Sequence, residues 1–174
     1  MRKIALIGTH GTGKTTLAHE LVAKSKKLGI NTEFLGEIAR VCPLPINENQ
    51  IRESGEWMIF EQNAKELEHT GKCDLLIEDR SIFDPYVYHF RKFGEDRFLR
   101  GVVVEKSRKY ASLIKVPINK KWLVNDNVRS TDKDFQIEVD ELFTQLLREL
   151  DIPYVNYESK EQVIGIVKGL YGIK

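Results

Sequence analysis

IALIGTHGTGKTT, residues 4–16, joins an apolar run to a glycine-rich turn and then to the start of a helical pattern. Ile4, Ala5, Leu6 and Ile7 form the uninterrupted apolar stretch expected of a strand buried on both faces. Gly8, Thr9, His10, Gly11, Thr12, Gly13, Lys14 and Thr15 then fit the GxxxxGK[ST] phosphate-binding loop without a gap. Glycines at 8, 11 and 13 let the backbone take positive φ and aim consecutive N–H groups at one point. The helix expected over 14–27 turns its positive end to that point, with Thr16 in its first turn. Lys14 has the reach for β- and γ-phosphates, and the Thr15 hydroxyl is the expected Mg²⁺ ligand. Residues 8–16 are therefore the predicted cradle for the phosphates of a nucleotide.

Working outward, 174 residues with 41% hydrophobic content suit one domain, 1–174, with a sizeable core. Twenty-seven basic and 26 acidic residues leave a net charge of +1. They are well mixed, so no polybasic arm or acidic tail points to a nucleic-acid partner. Cys42 and Cys73 stand apart, without the spacing of a zinc site or a disulfide framework, and read as buried, reduced thiols. The apolar runs are too short for a membrane span and the amino terminus reads as a strand, so the expected location is cytoplasmic, with no membrane partner.

After the first helix, 30–36 reads as a second strand that delivers Glu37 and Arg40 to its carboxyl end in the sequence GEIAR. In an open parallel sheet the carboxyl ends of strands line the ligand crevice, which gives such a pair a place in chemistry. Beyond Pro43 and Pro45, residues 48–69 suit one or two amphipathic helices, with Gly55 as the break between two. Trp57, Glu61 and Gln62 are candidates to face a substrate, although a tryptophan in such a helix is more often core. Asp74 to Ser81, reading DLLIEDRS, is a third strand ending in Glu78, Asp79, Arg80 and Ser81. It has the form of the strand that carries the acidic partner of a phosphate loop, with Asp79 as the Mg²⁺-side carboxylate.

Asp84-Pro85 reads as an N-cap with proline at the first helical position, opening a helix to about Phe93. Residues 96–110 favour a helix by length and charge, despite three consecutive valines. Residues 113–117 form a fourth strand. Residues 119–134 read as a polar flap on which Arg129 is placed to close over a transferring phosphoryl group. Phe135, Val139, Leu142, Phe143, Leu146, Leu147 and Leu150 recur at helical spacing, 151–156 is a fifth strand, and Ser159 with Gln162 forms a capping box for a last helix. Five strands alternating with helices predict an α/β fold: three layers around a five-stranded parallel sheet, in the P-loop NTPase/kinase manner.

Among P-loop classes, a GTPase would carry a guanine-reading NKxD, and Asn119-Lys-Lys-Trp122 lacks its aspartate. A motor ATPase domain is usually longer. A compact phosphotransferase fits best, with a nucleotide-binding ATPase switch that acts on a protein or nucleic-acid partner as the alternative.

Read together, Gly8-Thr-His-Gly-Thr-Gly-Lys-Thr15, Glu37-Ile-Ala-Arg40, Glu61-Gln62, Asp79-Arg-Ser81 with Asp84 and Tyr88, and Asp126-Asn-Val-Arg-Ser130 come in the order found in a known family. The chain resembles the P-loop kinase-type "AAA domain" family related to the nicotinamide riboside kinase domain of the bacterial NAD-biosynthesis regulator. The likeness runs from about residue 3 to 150. Asp79-Arg80-Ser81 is also similar to the Glu-Arg-Ser motif of deoxynucleoside kinases, with Asp in place of Glu. The resemblance implies an ATP- and Mg²⁺-dependent kinase acting on a nucleoside-like hydroxyl. Lys14 and the loop would hold ATP, and Thr15 with Asp79 would hold Mg²⁺. Glu37 would take the substrate proton, Arg40 and Arg80 would steady phosphates, and Arg129 would close the lid. Glu37 and Asp79 can exchange the base role in this reading, and Glu78 stays a third candidate. The choice of ATP or GTP and of monomer or homodimer stays open.

Overall fold

A computed structural model of the chain describes residues 1–46, 49–118 and 133–173, with Lys133 described by its backbone alone. Its sheet has five strands, β1 (Arg2–Ile7), β2 (Thr32–Leu35), β3 (Leu75–Asp79), β4 (Ser112–Lys115) and β5 (Val155–Asn156). They lie in the order β2-β3-β1-β4-β5, and every pairing is parallel. The predicted five-stranded parallel α/β fold is the observed one.

Among the described residues six α-helices flank the sheet, α1 (Lys14–Lys27), α2 (Arg52–Glu68), α3 (Phe83–Phe93), α4 (Arg97–Ser107) and α5 (Lys133–Glu149) in the crossovers and α6 (Lys160–Tyr171) after β5. Successive residues of a strand point to opposite faces, so β1 is divided between two cores. Ile4 and Leu6 pack with Leu17, Leu21, Val163 and Val167 of α1 and α6. Ala5 and Ile7 pack with Ile59, Val87, Leu99, Val103, Val139 and Phe143 of α2 to α5. That double burial is why the first strand reads as continuously apolar rather than alternating.

Several local expectations change. Helix α2 runs unbroken through Gly55, which packs under α3 rather than ending a helix. Strand β5 shrinks from the expected six residues to two, because only Val155 and Asn156 meet partners, Ile114 and Lys115, on the short β4. Helix α3 begins at Phe83, so Asp84 is inside its first turn rather than its N-cap. Ser81 does the capping: its Oγ accepts from Phe83 N–H at 3.1 Å, and the Asp84 carboxylate reaches back to Ser81 N–H at 2.8 Å. That reciprocal pair is a capping box set three residues earlier than the Asp-Pro reading places the cap. Residues 96–110 are helical as expected, with Asp96 Oδ1 accepting from Phe98 and Leu99 N–H. Cys42 and Cys73 are free thiols, but Cys42 is only half-buried.

Parallel register brings the carboxyl ends of β2, β3 and β1 level, with Leu35 opposite Glu78 and Leu6 opposite Asp79. The chain segments that leave those three ends carry the site.

Candidate active site

The floor of the site is the loop between β1 and α1. Gly8, Gly11 and Gly13 adopt φ of 126°, 65° and 84°, all on the positive side where glycine is favoured. Gly8 has a second constraint, because a Cβ there would lie 2.9 Å from the Val116 carbonyl oxygen. The loop closes around Lys14, whose ammonium donates to Thr9 O at 2.5 Å and to Thr12 Oγ1 at 3.0 Å. Burial first, and then the Arg80 guanidinium, pull the Lys14 pKa from 10.5 to about 7, against the opposite pull of Asp79, Asp84 and Glu37. Lys14 is thus a cation held by neutral oxygens, in a place where an anion would restore its charge.

Beside it, Thr15 Oγ1 donates to Asp79 Oδ2 at 2.5 Å. The two residues named from sequence as Mg²⁺ partners therefore meet. Among the described residues no cluster of three or more His, Cys, Asp or Glu side chains could hold a metal by itself. One hydroxyl and one carboxylate fit Mg²⁺, which takes few protein ligands and keeps water and substrate phosphate oxygens for the rest.

The wall of the site is built on Arg80, the residue after β3. It has φ of 81° without being glycine, a backbone state that costs about 1–3 kcal/mol and persists only where its surroundings hold it. They do so at three points. Arg80 Nε donates to Glu37 Oε1 at 2.5 Å, and Nη1 donates to Gly8 O at 3.2 Å and to Asp84 Oδ1 at 3.3 Å. Asp84 Oδ1 also accepts from Gly8 N–H at 3.3 Å. Arg80 thereby spans the phosphate loop and Glu37, and places that carboxylate one guanidinium away from the loop. Burial lowers the Arg80 pKa, but Glu37 above all, with Tyr88, Asp84 and Asp79, outweighs it and holds the value well above the usual one. Burial pushes Asp84 up, opposed by Arg80, Lys14 and the Ser81 hydrogen bonds. Tyr88 faces the Arg80 guanidinium, 5.6 Å from its ring centre, and its hydroxyl lies 3.3 Å from His10 Nδ1.

Arg40 Nε pairs with the other Glu37 oxygen at 3.2 Å and is more exposed than Arg80. Glu37 thus sits between two arginines. Glu78 behaves differently from its neighbour Asp79, because adjacent strand residues face opposite sides. It is sealed beneath α2, accepting from Gln62 Nε2 at 2.8 Å, and the Tyr110 hydroxyl, 3.3 Å away, donates to Glu66, which pairs with Lys3. Burial, and then Glu66, push the Glu78 pKa well up. Held in that network, Glu78 does not line the cleft that Glu37 borders.

Next to Glu37 opens a cleft lined by Ile38, Ile46, Gln50, Met58, Gln62 and Tyr88. On the other side of the loop a second pocket is lined by Thr12, Gly13, Thr16, Pro117, Tyr157 and Lys160. The sequence reading names Gln62 as substrate-facing, and it is in the first cleft. Trp57 packs instead against Leu35, Ile38 and Met58, and Glu61 does not line the cleft. Arg129 lies outside the described residues. Gln50 was not named from sequence, and nothing in its neighbours marks it. Ser81 and Asp84 as a capping box were legible in S-x-x-D, a spacing overshadowed by the Asp-Pro that follows.

A family model described as "AAA domain" matches residues 3–162. No curated protein sequence matches the chain. Among solved structures, the NadR protein in complex with NR is similar at a TM-score of 0.74 and 21% identity, over 99% of this chain and 52% of that one. The present chain therefore spans about half the length of that relative. Deoxyadenosine kinase from M. mycoides with bound dATP is similar at a TM-score of 0.57 and 18% identity, over 98% of this chain and all of that one. At these identities the likeness is one of fold.

Proposed function

The chain belongs to the AAA domain family, and from that premise we propose that it is a phosphotransferase moving the γ-phosphoryl group of Mg·ATP to a hydroxyl of a small nucleoside-like acceptor. The observation that carries this reading is the Arg80 bridge, which holds the Glu37 carboxylate beside the phosphate loop and at the mouth of a separate, partly apolar cleft. A nucleotide switch needs the loop, but it does not need an acid fixed between two cations at a second pocket. The pocket at Thr16 and Tyr157 gives the donor's base a place on the far side of the loop from that cleft.

In the proposed step the acceptor oxygen attacks the γ-phosphorus, the bond from phosphorus to the β–γ bridging oxygen breaks, and ADP leaves. The hydroxyl proton passes to Glu37. The loose transition state of phosphoryl transfer asks little deprotonation of the nucleophile. Orientation matters more, and two arginines fix Glu37 in place. Lys14 leaves Thr9 O and Thr12 Oγ1 for the phosphate oxygens and regains its full charge. Thr15 and Asp79 would hold Mg²⁺, which would supply charge to neutralise the phosphates.

The test is to incubate the protein with Mg·ATP and a panel of nucleosides, nicotinamide riboside and nucleoside monophosphates, and to measure ADP. Acceptor-dependent ADP formation with at least one member is expected. Slow hydrolysis that no acceptor accelerates would instead favour an ATPase switch.

A further inference from the structure

The first turn of α5 reaches across the fold to the phosphate loop. Gln136 is 3% exposed, and its Nε2 donates to the His10 carbonyl oxygen at 2.7 Å, a buried bond between residues 126 positions apart. The neighbouring Phe135 ring lies 5.5 Å from the His10 ring, centre to centre. Packing fixes this end of α5. Phe135 shares a core with Val139 and Phe143, and Arg91 of α3 covers its ring at 4.4 Å while pairing with Glu138 at 2.6 Å. Gln136 is therefore presented to the loop from a rigid element.

Two consecutive loop carbonyls have different partners. Thr9 O faces inward, to the Lys14 ammonium, whereas His10 O faces outward, to α5. The peptide joining His10 to Gly11 is trans and planar, so its N–H, carried by Gly11, points opposite to that carbonyl. An outward His10 O thus means an inward Gly11 N–H. No backbone carbonyl accepts from that N–H among the described residues. Gly11, at φ 65°, does not itself lock the peptide in this sense, because glycine takes either sign of φ at little cost. Without Gln136 the buried His10 carbonyl would go unpaired, and turning the peptide over would relieve it.

We propose that Gln136 is a positioning residue of the donor site: by holding His10 O outward it keeps Gly11 N–H turned into the loop, ready to donate to a phosphate oxygen. Helix α5, remote in sequence, then forms part of the phosphate site without touching the nucleotide. The inference rests on the reading of residues 8–16 as that site.

The experiment is displacement of a fluorescent ATP analogue by ATP and by inorganic tripolyphosphate, on the full wild-type chain, Gln136→Met and Gln136→Lys, with melting temperatures measured without nucleotide. Gln136→Met keeps the length of the side chain and removes the donor, so it should weaken ATP and tripolyphosphate alike, by about tenfold. Gln136→Lys keeps an N–H donor of similar reach and should bind both at least as well as one third of the wild-type affinity. A folded Gln136→Met that binds within about twofold of wild type overturns the proposal. So does a loss seen with ATP but not with tripolyphosphate, or a Gln136→Lys as weak as Gln136→Met. A Gln136→Met chain unfolded at the assay temperature overturns it too, by showing that the bond serves the fold. A wild type that binds neither compound removes the phosphotransferase reading along with this inference. Acceptor-dependent ADP formation with unchanged affinity in Gln136→Met removes the inference alone, and a matched loss for both compounds without acceptor-dependent ADP formation removes the phosphotransferase reading alone.

Discussion

Lys14 and Arg80 are both buried cations at the same end of one sheet, but their partners are of opposite kinds. Lys14 is held by a carbonyl and a hydroxyl of its own loop. Arg80 is held chiefly by the carboxylates of Glu37 and Asp84. The first arrangement leaves a cation under-compensated, with its pKa drawn down to about 7. The second over-compensates one, with its pKa driven well up. On the proposed reading the difference separates two tasks: a group that changes partners when an anion arrives, and a group that holds a carboxylate and a loop in place while it does.

The sharpest way to break that contrast is to remove each centre in turn. Lys14→Ala should lower affinity for a fluorescent ATP analogue by at least about a hundredfold and abolish turnover, since the charged contact to the phosphates is lost. Glu37→Gln should lower kcat by about 10²- to 10³-fold and keep ATP-analogue affinity within about twofold, as expected of a base and orienting group outside the donor site. If both variants lose donor binding to the same extent, floor and wall are not separate functions.

The floor was legible in residues 4–16 because a phosphate loop is local: glycines, lysine and threonine sit at fixed offsets, and backbone geometry does the rest. The wall was only half legible. Glu37, Arg40, Asp79 and Arg80 were named as strand-end residues, but which acid meets which arginine depends on strand order, and β3 between β2 and β1 is a tertiary fact. Asp79 was named as the Mg²⁺-side carboxylate and Glu78 only as a third candidate for the base, and the pleat turns the two to different partners. Gln50 fell inside the segment 48–69 that reads as helical, but the helix begins only at Arg52, and a glutamine just before it carries no signal of burial. Strand β5 was overestimated because apolar residues suit a strand whether or not a partner extends that far.

A finer test uses pH. The empty site leaves Lys14 largely neutral above about pH 7, whereas bound phosphates favour the ammonium. Binding should therefore take up a proton, and affinity measured from pH 7.5 to 9 should fall by up to about tenfold per pH unit. The sign for folding follows from the same shift. Between about pH 7 and 10.5 the unfolded chain binds a proton on Lys14 that the native chain does not, so native stability rises with pH across that window. Lys14→Met should accordingly raise the melting temperature of the ligand-free protein most at pH 6 to 7, with the advantage fading toward pH 10. A pH-independent affinity would mean that Lys14 is charged in the empty loop, and the contrast with Arg80 would collapse.

The smallest effect concerns what anchors the wall. Arg80 keeps its positive φ because Asp84 and Glu37 hold its guanidinium, and Asp84 is oriented in turn by Ser81. Ser81→Ala removes the Oγ that accepts from Phe83 N–H at 3.1 Å and donates to Asp84 Oδ2 at 2.9 Å. The backbone bond from Ser81 N–H to Asp84 survives the change, so the carboxylate keeps one of its two tethers to that residue. The expected loss is about 1–2 kcal/mol, the size of a helix cap, or about 2–8 °C in melting temperature for a chain of this length. Donor affinity should stay within about twofold, because no loop contact is lost. An unchanged melting temperature would mean that α3 is held by packing alone, and a loss of donor affinity comparable to Lys14→Ala would mean that the wall, rather than the glycine-rich loop, sets the shape of the floor.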